Sequence, residues 1–182
     1  MIDIIGDFSK KYRSYKFAII FYLGHGFQID GENYLIPIDA NPQSKSDVEV
    51  EAIDVEYVLK KVNDADIPKV IVLDACRDNP FEKKWSSAER SGNKNGFGDV
   101  SAPLNAEIFF TTQKDSRVRD DNPYLDYFMQ ELKKQDCLED IVRNVSKRVN
   151  KDNQGQIPAK YGQLFDKAVS YTHLTLPTSV MV

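Results

Sequence analysis

The sequence predicts an α/β fold, a sheet with helices on both faces, on three observations. Three apolar runs have the length of strands: Phe17 to Tyr22, Lys69 to Leu73, and Ile108 to Thr112. Between and after them, residues 52–63, 123–135 and 138–151 carry apolar side chains at helical spacing. Strands that alternate with helices pack as one sheet covered on each side. The 182 residues suffice for one domain with a sizeable core and are too few for two comfortable ones.

In chain order, residues 1–14 read as a helix with Ile4, Ile5 and Phe8 on its buried side. Phe17 to Tyr22 is apolar throughout, which suits only a fully buried strand. Gly24 and Gly26 flank His25, so this strand is expected to end there in a turn where backbone can come close to a ligand. Asp30-Gly31 reads as a turn into a short strand from Asn33 that Pro37 stops. Residues 38–50 read as polar loop. Ile53, Val55, Val58, Leu59 and Val62 give the next helix its stripe, and Pro68 closes the connection to the second buried strand. Cys76 lies just past that strand. Residues 79–103 are rich in Ser, Asn, Gly and Lys, and a loop of that length in a compact domain usually serves function. After the third strand come two amphipathic helices, the first expected to turn Leu125, Phe128, Met129 and Leu132 inward, and a short extended stretch over 156–158. The domain is drawn at 1–168. Residues 169–182 carry no charge and no period, and read as a non-native tail.

Composition narrows the function. Hydrophobic residues at 41% and charged residues at 29% exclude a disordered chain, and a net charge of -4 gives no basic face for nucleic acid. No apolar run approaches the ~18 residues of a membrane span, and the first residues lack the pattern of a signal peptide. Two cysteines, Cys76 and Cys137, are too few for a disulfide framework, so a reducing, cytoplasmic setting is expected.

What remains is a pair of reactive side chains. A thiolate is the attacking form of cysteine, and a nearby imidazole can take its proton and later give one to a leaving amine. Outside the tail, His25 is the only histidine, and Cys76 sits where a strand of an open α/β sheet ends, the place where ligands gather. The backbone N–H groups of Gly26 and Cys76 are the expected donors to an oxyanion. Taken singly, a cysteine near a strand end is most often a small buried hydrophobe, and a lone histidine a satisfied structural residue. Their coincidence at matched strand ends is what points to catalysis.

His25-Gly26 and Asp74-Ala75-Cys76-Arg77, with the cysteine about 50 positions after the histidine, resemble the caspase-like clan of caspases, metacaspases and paracaspases. The stretch Asp30-Gly31-Glu32-Asn33-Tyr34-Leu35-Ile36-Pro37-Ile38-Asp39-Ala40 resembles the segment that follows the histidine in that clan. The similarity runs from about residue 15 to about residue 165, most of the chain. It implies a caspase-like, mainly parallel sheet, with the family's first strand missing and an unpaired edge in its place. It also implies a cysteine endopeptidase with His25 and Cys76 as its dyad and protein or peptide substrates, without nucleic acid or membrane as partners.

Aspartate at position 74, where caspases have glutamine, is as in metacaspases and paracaspases, which cut after Arg or Lys. A carboxylate there would pair with a basic side chain; the plain alternative is that Asp74 caps a turn. Asp115, or else Asp120, is the candidate second acid of the pocket. Leu23 departs from the serine usual two places before the histidine, which touches selectivity rather than the dyad. Lys83, Lys84, Arg90 and Lys94 in the long loop offer sites for self-trimming, or simply a solvated loop. No cofactor or metal is expected: Asp47, Glu49, Glu51, Asp54 and Asp78 are loosely grouped without a calcium-loop spacing, and calcium activation rests on the resemblance alone. Two other readings stand beside the peptidase. One is a catalytically inactive caspase-like module acting through protein contacts; the other is a redox thiol, which would want Cys137 close by as resolving partner.

Overall fold

The computed structural model describes residues 1–64, 66–76, 97–111, 123–134, 137–152 and 159–165, with Cys76 described by its backbone. Helix α1 (Ile2–Lys11) runs into a 3-10 turn at Tyr12–Ser14. Strand β1 (Ala18–Ile29), strand β2 (Glu32–Ile36), helix α2 (Lys45–Glu51), the two-residue strand β3 (Ile53–Asp54), helix α3 (Val55–Lys61) and strand β4 (Lys69–Cys76) follow. Strand β5 (Ala106–Phe110), helix α4 (Tyr124–Leu132), helix α5 (Leu138–Asp152) and strand β6 (Ala159–Gln163) complete the described elements. The sheet order is β3-β2-β1-β4-β5-β6. It is mixed: β1, β4 and β5 form a parallel centre, and the flanking pairs are antiparallel.

Alternation along the parallel strands divides the main core between two faces, and a third, smaller cluster of Phe27, Ile29, Tyr34 and Ile36 packs with Val48 of α2. Tyr22, Ile71, Leu73, Ala75, Ile108 and Phe110 pack on one face with α1 and α3. Val70, Val72 and Phe109 pack on the other, under Tyr124 and Phe128 of α4 and the apolar stripe of α5. Helices therefore cover both faces. Glu131, buried on the last turn of α4, accepts from Lys134 at 2.5 Å and from Arg148 of α5 at 3.3 Å, which ties the two helices together.

Several expectations shift by a residue or a face. In α1 the buried stripe is Ile5 and Tyr12 with Met1 and Phe8 against it, and Ile4 is 41% exposed. In α4 the inward side is Tyr124, Phe128, Glu131 and Leu132, while Met129 faces solvent. Residues 45–51 are helix rather than loop: Ser44 accepts from the Asp47 N–H, and the Asp47 carboxylate reaches back to the Gln43 N–H at 2.9 Å. Ile53 belongs to a strand opposite Leu35, not to the helix that begins after it. The stretch 156–158 lies outside the described residues, as does the tail; the last strand is found at 159–163.

The largest correction concerns β1. It does not stop at His25 but continues to Ile29, because it changes partner on the way. Ala18 to His25 pair with β4, and His25 to Ile29 pair with β2. The turn comes later, at Asp30 and Gly31, whose φ angles of 50° and 96° are those of a two-residue hairpin turn between Ile29 and Glu32. Among the described residues, Ala18 to Gly24 pair on the β4 side alone.

Candidate active site

In the parallel register Leu23 lies opposite Asp74, Gly24 opposite Ala75, and His25 opposite Cys76. Hydrogen-bonded neighbours in a sheet are about 4.8 Å apart. His25 and Cys76 are thus brought together by strand pairing itself, at the carboxyl end of the parallel centre. His25 is exposed, as is Leu23 beside it. Alternation puts Leu23 and His25 on the face opposite Tyr22, the face that Val70, Val72 and Asp74 share on β4.

Asp74 is a strand residue, near the end of β4. It is buried, and its Oδ1 accepts from Thr111 Oγ1 at 2.7 Å. Thr111 stands just beyond β5, two positions after Phe109 on the same face. The carboxylate also acts on Tyr124: burial raises that phenol's pKa most, and the charge of Asp74 adds to it. Asp74 and Thr111 therefore form a polar floor between the parallel strands and α4. Asp115, Asp120 and Asp78, and the basic residues of the long loop, lie outside the described residues.

The glycines around His25 serve close packing rather than a turn. A Cβ at Gly24 would sit 2.6 Å from the Tyr22 hydroxyl oxygen and 2.9 Å from its Cζ. A Cβ at Gly26 would run into the Phe97 ring and sit 3.1 Å from Ala75 Cβ and from the Tyr34 carbonyl oxygen. Phe97 is buried there against Phe110, with ring centroids 5.2 Å apart. Its neighbour Gly98 is held by the Asn33 side-chain amide.

Sequence reasoning overlooked Tyr22. Its hydroxyl lies 2.7 Å from the His25 carbonyl oxygen and 3.0 Å from that of Ile36, and it accepts from the Ile36 N–H at 3.1 Å. Burial pushes the phenol up to about 12, so it keeps its proton across the physiological range. A tyrosine closing an apolar strand two residues before a glycine was the available signal, since a buried tyrosine hydroxyl needs a partner.

Three of the five acids considered for calcium are engaged in backbone bonds. Asp47 receives the Gln43 N–H, Asp54 the Glu56 N–H at 2.9 Å, and Glu51 the Asn41 N–H at 2.6 Å. Among the described residues no group of three or more His, Cys, Asp or Glu is placed to hold a metal ion. Cys137 sits at the start of α5 with its Sγ 2.7 Å from Asp140 Oδ2. Burial, and then the Asp140 carboxylate, push its thiol up, the reverse of what a reactive thiolate needs.

The family model described as "Caspase domain" matches residues 1–169. Among solved structures the chain is similar to the Drosophila initiator caspase Dronc, with a TM-score of 0.58 and 13% identity. That match covers 92% of this chain and 61% of that one, so the chain spans less than two thirds of its length. At such identity the likeness is one of fold. No curated protein matches.

Proposed function

Because this chain belongs to the caspase family, we propose that it is a cysteine-type endopeptidase using His25 and Cys76 as a dyad and cutting after Arg or Lys. The observation that carries this reading is the register that sets His25 opposite Cys76 across one strand pair. The Cys76 thiolate attacks the scissile carbonyl carbon, and the carbonyl oxygen takes the negative charge. The backbone N–H groups of Gly26 and Cys76 donate to that oxygen. Imidazolium at His25 protonates the leaving amine, the C–N bond breaks, and an acyl-enzyme remains. His25 then takes a proton from water, which attacks the thioester and releases Cys76.

Specificity rests on Asp74. A carboxylate on the polar floor attracts a guanidinium or ammonium group and repels an acidic one. Its bond from Thr111 orients it. Asp115 is the proposed second acid, and the setting is cytoplasmic.

The test uses fluorogenic peptides ending in Arg, Lys or Asp, with and without calcium, beside a Cys76→Ala control. Cleavage after Arg or Lys that vanishes in the control is expected. Cleavage only after Asp overturns the role of Asp74. Silence on every peptide from folded protein favours the inactive module.

A further inference from the structure

The peptide that joins His25 to Gly26 is held from one side by a side chain with no reacting atom. Tyr22 brings its hydroxyl to 2.7 Å from the His25 carbonyl oxygen. The same hydroxyl accepts the Ile36 N–H at 3.1 Å, and Ile36 is the register partner of His25 on β2. It is thus lodged where β1 passes from one partner strand to the other. The ring reaches this place because position 24 is glycine; any Cβ there would meet the hydroxyl oxygen at 2.6 Å.

The chain has no cis peptide among its described residues. A trans peptide is planar, and its carbonyl oxygen and its N–H point in opposite directions. Holding the His25 oxygen on the side of Tyr22 and Ile36 therefore directs the Gly26 N–H to the opposite side of β1. In the sheet order β1 lies between β2 and β4, so the opposite side is that of β4, where Cys76 ends the strand.

We propose that Tyr22 is a positioning residue that aims the Gly26 amide at the oxyanion by pinning the His25–Gly26 peptide plane. This rests on the peptidase reading above. The bond to the carbonyl is made before substrate arrives, so the donor is fixed in advance and needs no reorientation as charge develops. Glycine at 26 leaves the plane free to rotate once the clasp is gone.

The test compares the full wild-type chain with Tyr22→Phe, which keeps the ring and deletes the hydroxyl, on the peptide that wild type cleaves best. An oxyanion donor acts in the transition state, so kcat is expected to fall with KM nearly unchanged. Removing such a donor outright costs about 10²–10³ in kcat, and loosening it is expected to cost about 10–100-fold. A peptide aldehyde, whose hemithioacetal carries the same oxygen, should lose affinity in proportion. Alkylation of Cys76 by iodoacetamide needs no oxyanion and should keep its rate and pH profile. A merely structural role would slow alkylation and turnover together. Turnover and aldehyde affinity equal to wild type overturn the proposal and leave the dyad standing. Wild type that neither cleaves peptides nor binds the aldehyde overturns the peptidase reading and this one with it.

If thermal melts show that Tyr22→Phe does not fold, the question moves to wild type by NMR. A downfield shift of the Gly26 amide proton on aldehyde binding, with a Tyr22 hydroxyl proton close to Ile36, supports the proposal. A Gly26 amide unmoved by the aldehyde overturns it.

Discussion

Asn33 grips the backbone of Gly98 at two points. Its Oδ1 accepts the Gly98 N–H at 2.6 Å, and its Nδ2 lies 3.5 Å from the Gly98 carbonyl oxygen. A side chain at position 98 would have to displace the Gln28 amide. This clamp fastens the chain just after residues 77–96 onto the hairpin that carries Gly26. Asn33→Ala leaves a buried N–H without its acceptor and should cost about 1–3 kcal/mol. A lowered urea midpoint with unchanged slope would show it; an unchanged midpoint would mean that the clamp holds nothing.

Phe97 and Gly26 meet with no room for another carbon. Gly26→Ala should therefore destabilise by about 1–3 kcal/mol through overpacking. Phe97→Leu shrinks the obstructing ring, so the double variant should recover part of the loss relative to the sum of the singles. Additive losses in a double-mutant cycle would show that the two sites do not press on each other.

Asp74 and Thr111 are expected to govern the choice of substrate. Asp74→Asn keeps the shape and the Thr111 contact while removing the charge. Losing one partner of a buried charged contact costs about 2–5 kcal/mol, so kcat/KM on Arg and Lys peptides should fall by about 30-fold or more. Thr111→Val should give a smaller loss of the same kind. Selectivity among Arg, Lys and neutral peptides that survives Asp74→Asn would place the pocket elsewhere.

Glu131 gives the fold an acid-sensitive tie. The hydrogen bond from Lys134 holds its carboxyl below the usual range, burial opposes this, and Arg148 and Asn144 add to the lowering. A folded-state pKa below the unfolded one means that the unfolded chain binds more protons in the window between them, so stability drops as pH falls through it. Glu131→Gln should cost about 1–3 kcal/mol at neutral pH. The gap to wild type should begin to narrow near about pH 4, where the unfolded carboxyl takes up its proton, and close as pH falls through the lower folded-state value. Urea melts of both proteins across that range decide it.

The layout of the fold was legible wherever period and length agreed. The apolar runs at β1, β4 and β5 and the stripe of α5 are unambiguous in the sequence, and so is Asp30-Gly31, because an Asp-Gly pair between strands has a favoured turn. That positions 25 and 76 would lie side by side was legible for the same reason, since each follows an apolar run on adjacent parallel strands. The full burial expected of Phe17 to Tyr22 is not met, for Ile19, Ile20 and Phe21 are half-buried on a stretch that pairs with β4 alone among the described residues. What escaped depends on contacts between distant segments. Glycines at 24 and 26 look like a turn until Tyr22 and Phe97 are seen to fill the space beside them. Helix α2 has one buried apolar residue, Val48, so it shows no period and is announced by its cap alone. Ile53 fits a helical stripe equally well until Leu35 pairs with it. Met129 carries an apolar side chain on a solvent face, which no pattern rule can foresee.

β1 answers to two partners, and this has a consequence for how the protein fails. The amides of Ala18 to Gly24 belong to the parallel centre; those beyond His25 are protected by a hairpin whose outer strand pairs, among the described residues, with the two-residue strand β3. Local openings need less free energy than global ones, and such hairpins are the units that open first. In hydrogen exchange the amides from Phe27 to Ile36 should therefore report a cheaper opening than those of β4. When that opening occurs, Ile36 leaves Tyr22 while the α/β body stays intact. A warmed or mildly denatured sample would keep its circular dichroism after it had lost the proposed peptidase activity, and cooling would restore that activity without refolding the core.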